Sequence, residues 1–157
     1  MAARQRTRHR RRPRLRRLRD TADPAVVARA VEELLRYLSV VENVVVRVAA
    51  EDLTIAGEHI RAGEGIIVSL PAGNRDTALL SDRPDVLDLT HNARAHLAFG
   101  FGVHQCLGQN LARMELQVAI PALLRRLPTL DLAVPFEEVH FRQQMSVYGV
   151  TRLPVTW

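Results

Sequence analysis

A single cysteine, Cys106, limits how this 157-residue chain can be held together. One cysteine excludes an intramolecular disulfide, and it excludes the paired-cysteine spacing of a structural zinc site. The fold must therefore rest on a hydrophobic core, and a chain that is 47% hydrophobic and 25% charged can build one. A lone thiol is also typical of a reducing compartment, which predicts a cytoplasmic protein.

The positive charge is concentrated at the N-terminus. All 22 basic residues are arginine, and ten of them lie in residues 1–19, whereas the rest of the chain has 12 arginines against 17 acids. We therefore predict a disordered Arg-rich tail at 1–21 and one domain at 22–157. Two other interpretations are a nucleic-acid-binding patch, for which the tail lacks aromatic residues to stack on bases, and out-of-frame translation of GC-rich DNA. No segment reads as a signal peptide or a membrane span.

The first half of the domain predicts one helix and several strands. Asp23-Pro24 is a typical helix start, and the helix should end near Leu38. β-Branched runs at 44–48, 53–55 and 66–70 predict a small antiparallel sheet. The apolar residues that should form the buried face of the helix are Val27, Val31, Leu34, Leu35 and Leu38.

The second half of the domain predicts a long connection followed by another helix. Residues 71–98 show little periodicity, and long ordered loops of this kind often carry function. A helix is predicted over 109–126. Its apolar contacts should come from Leu111, Met114, Val118, Leu123, Leu124 and Leu127. Pro121 should kink or break this helix, because an interior proline removes a backbone hydrogen bond.

The segment around Cys106 is suited to hold a metal-bearing cofactor. Backbone N–H groups and the start of the following helix can face the sulfur and favour its anionic form. A thiolate bound axially to haem iron donates electron density that favours O–O cleavage. Phe99 and Phe101 would shield the sulfur from water. Tight backbone turns and a close approach to a flat group are allowed by Gly100, Gly102 and Gly108.

Two motifs resemble the signatures of the cytochrome P-450 family. Phe99-x-x-Gly102-x-x-x-Cys106-x-Gly108 is similar to the haem-ligand signature, and Glu33-x-x-Arg36 is similar to the second signature. The runs at 110–113 and 153–157 resemble soluble bacterial members, particularly actinobacterial ones. The resemblance implies the C-terminal part of the cytochrome P-450 fold, mainly α with a small antiparallel β-sheet. Because full-length members have a much longer region before the Glu-x-x-Arg helix, we expect the N-terminal part of the fold to be absent.

The resemblance also implies roles for particular residues. Cys106 would be the proximal ligand of haem iron. Phe99, Gly100, Gly102 and Gly108 would help to bind the haem. Glu33 and Arg36, which by themselves read as an ordinary surface pair, would form a buried structural ion pair. The family usually places an arginine or histidine beside that pair, and Arg83 and His91 are both candidates. Arg47, which by itself favours solvent, and His104 would pair with haem propionates. The substrate pocket would be lined by Val44, Val45, Val46, Met145, Ser146 and Val147.

The function that the resemblance implies is NAD(P)H-dependent oxygen insertion into a small organic substrate. Electrons would come from a ferredoxin-type donor and an NAD(P)H-dependent reductase. The oxygen-activating distal helix belongs to the region expected to be absent, so we predict that the chain alone is catalytically silent. The alternatives for the site are a buried, inert cysteine and a zinc site formed by His91, His96, His104 and Cys106.

Overall fold

The computed structural model describes residues 15–42, 45–79, 82–142 and 145–157. Short 3₁₀ turns lie at Gly102–His104 and Phe136–Glu138. The predicted class, mainly helical with small antiparallel β-structure, is confirmed. In chain order the elements are α1 (Pro24–Leu38), β1 (Val45–Val48), β2 (Leu53–Ile55), β3 (Glu58–Ile60), β4 (Gly65–Val68), α2 (Leu70–Gly73), α3 (Gln109–Arg126), β5 (Asp131–Leu132) and β6 (Val155–Thr156).

Both ends of α1 follow from local chemistry. The Asp23 carboxylate accepts a hydrogen bond from the Ala25 N–H at 2.8 Å, and Pro24 occupies the first turn, as predicted. At the other end Ser39 adopts a left-handed conformation with φ 42°, and its N–H donates to the Leu35 carbonyl at 3.1 Å. The Ser39 hydroxyl donates to the Arg36 carbonyl at 2.7 Å. The helix therefore begins and ends where its side chains can satisfy the free backbone groups.

The buried surface of α1 differs from the predicted apolar face. Val27 and Val31 are buried, but Leu38 is 51% exposed, so its assignment to the buried face is wrong. Three charged residues, Glu32, Glu33 and Arg36, are buried on the same helix. An apolar pattern cannot predict this, because burial of a charge depends on partners that lie elsewhere in the chain.

Where one small sheet was predicted, the described residues form two separate two-stranded antiparallel pairs, and a third pair lies near the C-terminus. β1 pairs with β4, β2 with β3, and β5 with β6. Strand β4 ends at Val68, two residues earlier than predicted, because the Ser69 side chain caps α2 by accepting from the Ala72 N–H. The predicted strand at 44–48 is observed from Val45 onward, and residue 44 lies outside the described residues.

The core joins the start of the described chain to both long helices. Residues 15–20 are helical, and Leu18 is 3% exposed, packed with Ala30 of α1 and Leu124 of α3. Disorder predicted for 1–21 is therefore wrong for residues 15–20, because Leu18 has an apolar partner on each helix. Residues 1–14 lie outside the described part of the chain.

Helix α3 runs without interruption through Pro121, so of the predicted kink or break the break is wrong. Pro121 is buried within the helix. The expected apolar contacts through Leu111, Met114 and Val118 are also wrong, since these side chains are 55% to 65% exposed. The predicted contact through Leu124 is confirmed, since this side chain is buried against Ala30 of α1. The exposed apolar stripe of α3 therefore has no covering element in the described part of the chain.

Candidate cofactor site around Cys106

A tight loop presents Cys106 at the surface. The Cys106 N–H donates to the Phe99 carbonyl at 2.9 Å, which closes the loop, and the Gly100 N–H donates to the Leu97 carbonyl at 2.9 Å. Gly100 and Gly102 have positive φ angles of 74° and 78°, as their predicted role in tight turns requires. The thiol is free and exposed. The alternative of a buried, inert cysteine is therefore wrong.

Gly108 has a different role from the two glycines before it. Its φ is −80°, which any residue can adopt, so its backbone conformation does not require glycine. A Cβ built on Gly108 would lie 3.9 Å from the Cys106 Sγ, in van der Waals contact with it. Glycine at this position thus leaves one side of the sulfur open, and helix α3 begins at the next residue.

The surface around the thiol is apolar. Phe101, Val103 and Leu107 are 86%, 96% and 100% exposed, respectively. Phe99 is half-buried and lies behind the loop, where its ring is 4.7 Å from the Arg113 guanidinium. An exposed soft sulfur donor among exposed apolar side chains fits a large, flat, apolar cofactor with a metal at its centre. The residues present therefore fit a thiolate-ligated haem.

The Glu33–Arg36 pair is buried, as the resemblance implied. Arg36 Nε and Nη2 donate to the two carboxylate oxygens of Glu33 at 2.7 Å and 2.8 Å, and both side chains are 0% exposed. The Asp88 N–H and His91 Nδ1 lie 2.9 Å and 3.3 Å from the same carboxylate. Burial raises the pKa of Glu33, but these hydrogen bonds outweigh it and hold the pKa below its usual range. His91 is thus a neighbour of the pair.

The Arg36 guanidinium also organises the connection between α2 and the cysteine loop. It donates to the carbonyls of Asn74, Pro84 and Val86 at 2.9 Å, 2.7 Å and 3.3 Å. Asn74 is fully buried, and its side chain joins the Ser39 hydroxyl at 2.9 Å to the Leu97 N–H at 2.6 Å. The meander predicted from low periodicity is therefore held by side chains that cap its carbonyls and amides.

A second buried cluster of charged and polar side chains, formed around Glu32, lies next to the Glu33–Arg36 pair. The sequence motifs did not identify it. Arg113 Nε donates to Glu32 Oε1 at 2.7 Å, and His96 Nε2 lies 3.0 Å from Glu32 Oε2. Burial raises the pKa of Glu32, but the hydrogen bonds from His96 and Arg113 outweigh it and lower the pKa to about 2. No local sequence signal marks this cluster, because Glu32 is 64 residues from His96 and 81 residues from Arg113.

The predicted propionate partners lie at the surface. Arg47 is exposed in β1, where it is paired in register with Ile66, and its guanidinium donates to the Val46 carbonyl at 2.9 Å. His104 is exposed at the end of the 3₁₀ turn that precedes Cys106. Both side chains are therefore placed where an anionic group could reach them.

The two predicted substrate-pocket segments meet through the chain that precedes β1. Val147 forms a bridge with Val41, and the Glu42 N–H donates to the Ser146 carbonyl at 3.1 Å. Val46, Met145 and Val147 are 55%, 52% and 46% exposed, Val45 is half-buried, and Ser146 is exposed. Val44 lies outside the described residues. Apart from that residue, the structure brings these segments to one region and leaves apolar side chains available there.

The zinc alternative has no support in the described residues. His91 faces Glu33 and His96 faces Glu32, so neither is grouped with Cys106. Across residues 15–42, 45–79, 82–142 and 145–157, no three His, Cys, Asp or Glu side chains are arranged to hold a metal ion. Within the same ranges, no helix has the length and apolar character needed to cross a bilayer.

Comparison with known proteins agrees with this geometry. The family model for cytochrome P-450 matches residues 6–144, so the match extends into the predicted Arg-rich tail. Cytochrome P-450 SU2 of Streptomyces griseolus is 57% identical over 136 residues, which are 87% of this chain and 34% of that relative. The chain thus spans about a third of the length of the curated relatives it matches.

Solved structures show the same fold. The crystal structure of GfsF, a cytochrome P-450 of Streptomyces halstedii, superposes with a TM-score of 0.87 at 52% identity, covering 92% of this chain and 37% of that one. Cytochrome P-450 MoxA from Nonomuraea recticatena gives a TM-score of 0.80 at 56% identity, and the superposition covers 87% of this chain and 34% of the MoxA chain. The fold is thus that of part of a bacterial cytochrome P-450. The chain belongs to the cytochrome P-450 family.

Proposed function

We propose that this chain is the haem-binding, thiolate-ligating portion of a cytochrome P-450 monooxygenase, with Cys106 as the iron ligand. The observation that carries the proposal is the exposed free thiol on a closed glycine loop, surrounded by exposed apolar side chains. The thiolate would donate electron density to the iron, and the bound cofactor would supply the oxygen chemistry. For the whole enzyme of which this chain would be a portion, the reaction we propose is NAD(P)H-dependent oxygen insertion into a small organic substrate, whereas the chain alone is expected to be silent.

The loop residues would hold and shield the cofactor. The Cys106 N–H donates to the Phe99 carbonyl, which fixes the backbone from which the sulfur projects. Phe101, Val103 and Leu107 would exclude water from the sulfur side of the cofactor, since burying these exposed side chains is favourable. Glycine at 108 would allow a flat group to approach the sulfur without meeting a side chain.

Charged and polar side chains at the surface would orient the cofactor. We propose that Arg47 and His104 bind its carboxylates, because an arginine–carboxylate contact is a strong, charge-assisted hydrogen bond. Both side chains are exposed and so available for this contact. Val45, Val46, Met145, Ser146 and Val147 would line part of the substrate pocket.

Electron supply and location belong to the same proposal. We propose a ferredoxin-type donor and an NAD(P)H-dependent reductase as partners. The proposal is supported by the similarity of the chain to bacterial cytochromes P-450, which generally receive electrons from such proteins. We propose the cytoplasm as the compartment, because an exposed thiol such as Cys106 stays reduced there.

Haem reconstitution of the full chain tests the proposal. The reduced protein under carbon monoxide should give a thiolate-type Soret band, and Cys106→Ser should lose that band. His104→Ala should keep the band but bind haem more weakly, whereas His59→Ala, at an exposed histidine of β3, should behave like the wild type. A thiolate-type band that persists in Cys106→Ser, or a wild-type chain that binds no haem, would contradict the proposal.

A further inference from the structure

Glu32 joins three segments of the chain that are far apart in sequence. It lies on α1, His96 lies at the entrance to the cysteine loop, and Arg113 lies on α3. Arg113 reaches both Glu32 oxygens, at 2.7 Å and 3.2 Å, and His96 contacts one of them at 3.0 Å. Glu32 and His96 are 7% and 6% exposed. Buried, charge-assisted contacts of this kind are stronger and more directional than surface ion pairs.

The two partners of Glu32 stand on either side of Cys106. His96 precedes the cysteine loop, and Arg113 follows it, so a single carboxylate is bound to both ends of the loop. The Arg113 guanidinium is 4.7 Å from the Phe99 ring, and the His96 ring is 5.9 Å from it. The Phe99 carbonyl in turn accepts the Cys106 N–H at 2.9 Å. A short path of contacts therefore leads from Glu32 to the backbone of Cys106.

Hydrogen bonding fixes the protonation of the His96 ring in this arrangement. The Ala98 N–H donates to His96 Nδ1 at 3.1 Å, so Nδ1 acts as the acceptor. The proton is then on Nε2, which donates to Glu32 Oε2. The His96 ring thus links the Glu32 carboxylate to the Ala98 amide, immediately before Phe99.

Neighbouring Glu33 is bound to a different part of the structure. Its partners are Arg36 on the same helix and the meander residues Asp88 and His91. Successive side chains on a helix point about 100° apart, which separates the two carboxylates. The Glu33 network is directed at the meander, and the Glu32 network is directed at the cysteine loop.

We propose that Glu32, His96 and Arg113 are positioning residues for Cys106: the Glu32 carboxylate ties both ends of the cysteine loop to α1 and so sets the direction of the sulfur. The functional meaning of this role rests on the proposed function of Cys106 as an iron ligand. The structural claim, that Glu32 holds the loop, stands without haem and can be tested without it.

Amide hydrogen exchange of the full chain tests the structural claim. The Cys106 amide, bonded to Phe99, reports on the loop, and the buried Ala49 amide, bonded to the Glu64 carbonyl at 3.0 Å, serves as the internal reference. Glu32→Gln should accelerate exchange at Cys106 about tenfold relative to Ala49, as expected for the loss of a hydrogen bond to a charged group. Exchange through global unfolding would accelerate both amides by the same factor.

Three further variants make the result specific. Glu115→Gln, an exposed acid on α3, should change neither amide. Glu33→Gln should destabilise the whole chain and accelerate both amides equally. Arg113→Lys keeps the charge but loses the planar fork stacked on Phe99, so it should accelerate Cys106 selectively by about threefold or more. If Glu32→Gln does not fold, the exchange rates of Arg113→Lys by themselves test whether the Glu32 contacts position the cysteine loop.

A spectroscopic measurement connects the loop to the ligand. In the haem-loaded chain, Glu32→Gln should lower the fraction of iron with a thiolate-type Soret band under carbon monoxide, and Glu115→Gln should not. If Glu32→Gln and Arg113→Lys, or the one of them that folds, accelerate both amides equally or accelerate neither, the positioning role is overturned even if Cys106 binds haem. Loss of the proposed function would instead appear as a thiolate band that survives Cys106→Ser, with the exchange result unchanged.

Discussion

Replacing Arg36 with leucine should remove the contacts that hold the meander in place and lower the free energy of unfolding. The change leaves the Glu33 carboxylate buried at 0% exposure without its arginine. It also removes the donor from the carbonyls of Asn74, Pro84 and Val86. Removing one partner of a buried ion pair costs about 3–5 kcal/mol. Because a domain has a total stability of about 5–15 kcal/mol, this loss is a large part of it.

Urea unfolding of the full chain, followed by far-UV circular dichroism, measures this loss. The matched control is Arg29→Leu, which removes an exposed arginine from the same helix and should change the unfolding free energy by about 0.5 kcal/mol or less. The double variant Glu33→Leu with Arg36→Leu should be more stable than Arg36→Leu alone, because it leaves no unpaired buried charge. Equal midpoints for Arg36→Leu and Arg29→Leu would refute the reasoning, as would a double variant less stable than the single one.

Two other predictions concern Glu32 and the cysteine loop. The free energy of unfolding should fall as the pH drops below about 5, because Glu32 takes up its proton near its ordinary pKa of 4.5 when unfolded but only near about 2 when folded. Glu32→Gln should flatten this decline in an acid titration followed by urea unfolding, and parallel curves would contradict the assignment. Gly102→Ala should cost about 1 kcal/mol in the same assay, because its φ of 78° disfavours a side chain. Gly149→Ala, where the added Cβ also meets open space, is the control, and an equal cost at both sites would contradict the backbone argument.

The parts of the fold that sequence predicts are those set by neighbouring residues. The start of α1 follows from Asp23 and Pro24, and the position of β1 follows from a run of β-branched residues. The positive φ angles of Gly100 and Gly102 likewise follow from residues within a few positions of Cys106. Local chemistry alone is sufficient for each of these features.

The parts that sequence reasoning missed depend on distant partners. Glu32 is 64 residues from His96 and 81 residues from Arg113, and nothing local distinguishes it from a surface acid. The apolar spacing of α3 correctly indicates a helix, but it cannot say which side is covered. Its exposed stripe and its packed side both carry apolar residues. Burial is therefore a property of the assembled chain rather than of the helix.

The adjacency of Glu32 and Glu33 restricts how the length of this chain can change. An insertion or deletion of one residue within the first two turns of α1 would rotate both carboxylates by about 100° relative to the body of the helix that precedes them. Either each acid would then leave its own partners, or the start of α1 would rotate instead and Leu18 would lose its contact with Ala30. We expect length variation among related chains to fall in the turns between β1 and β4, where register is local, and to be excluded from α1.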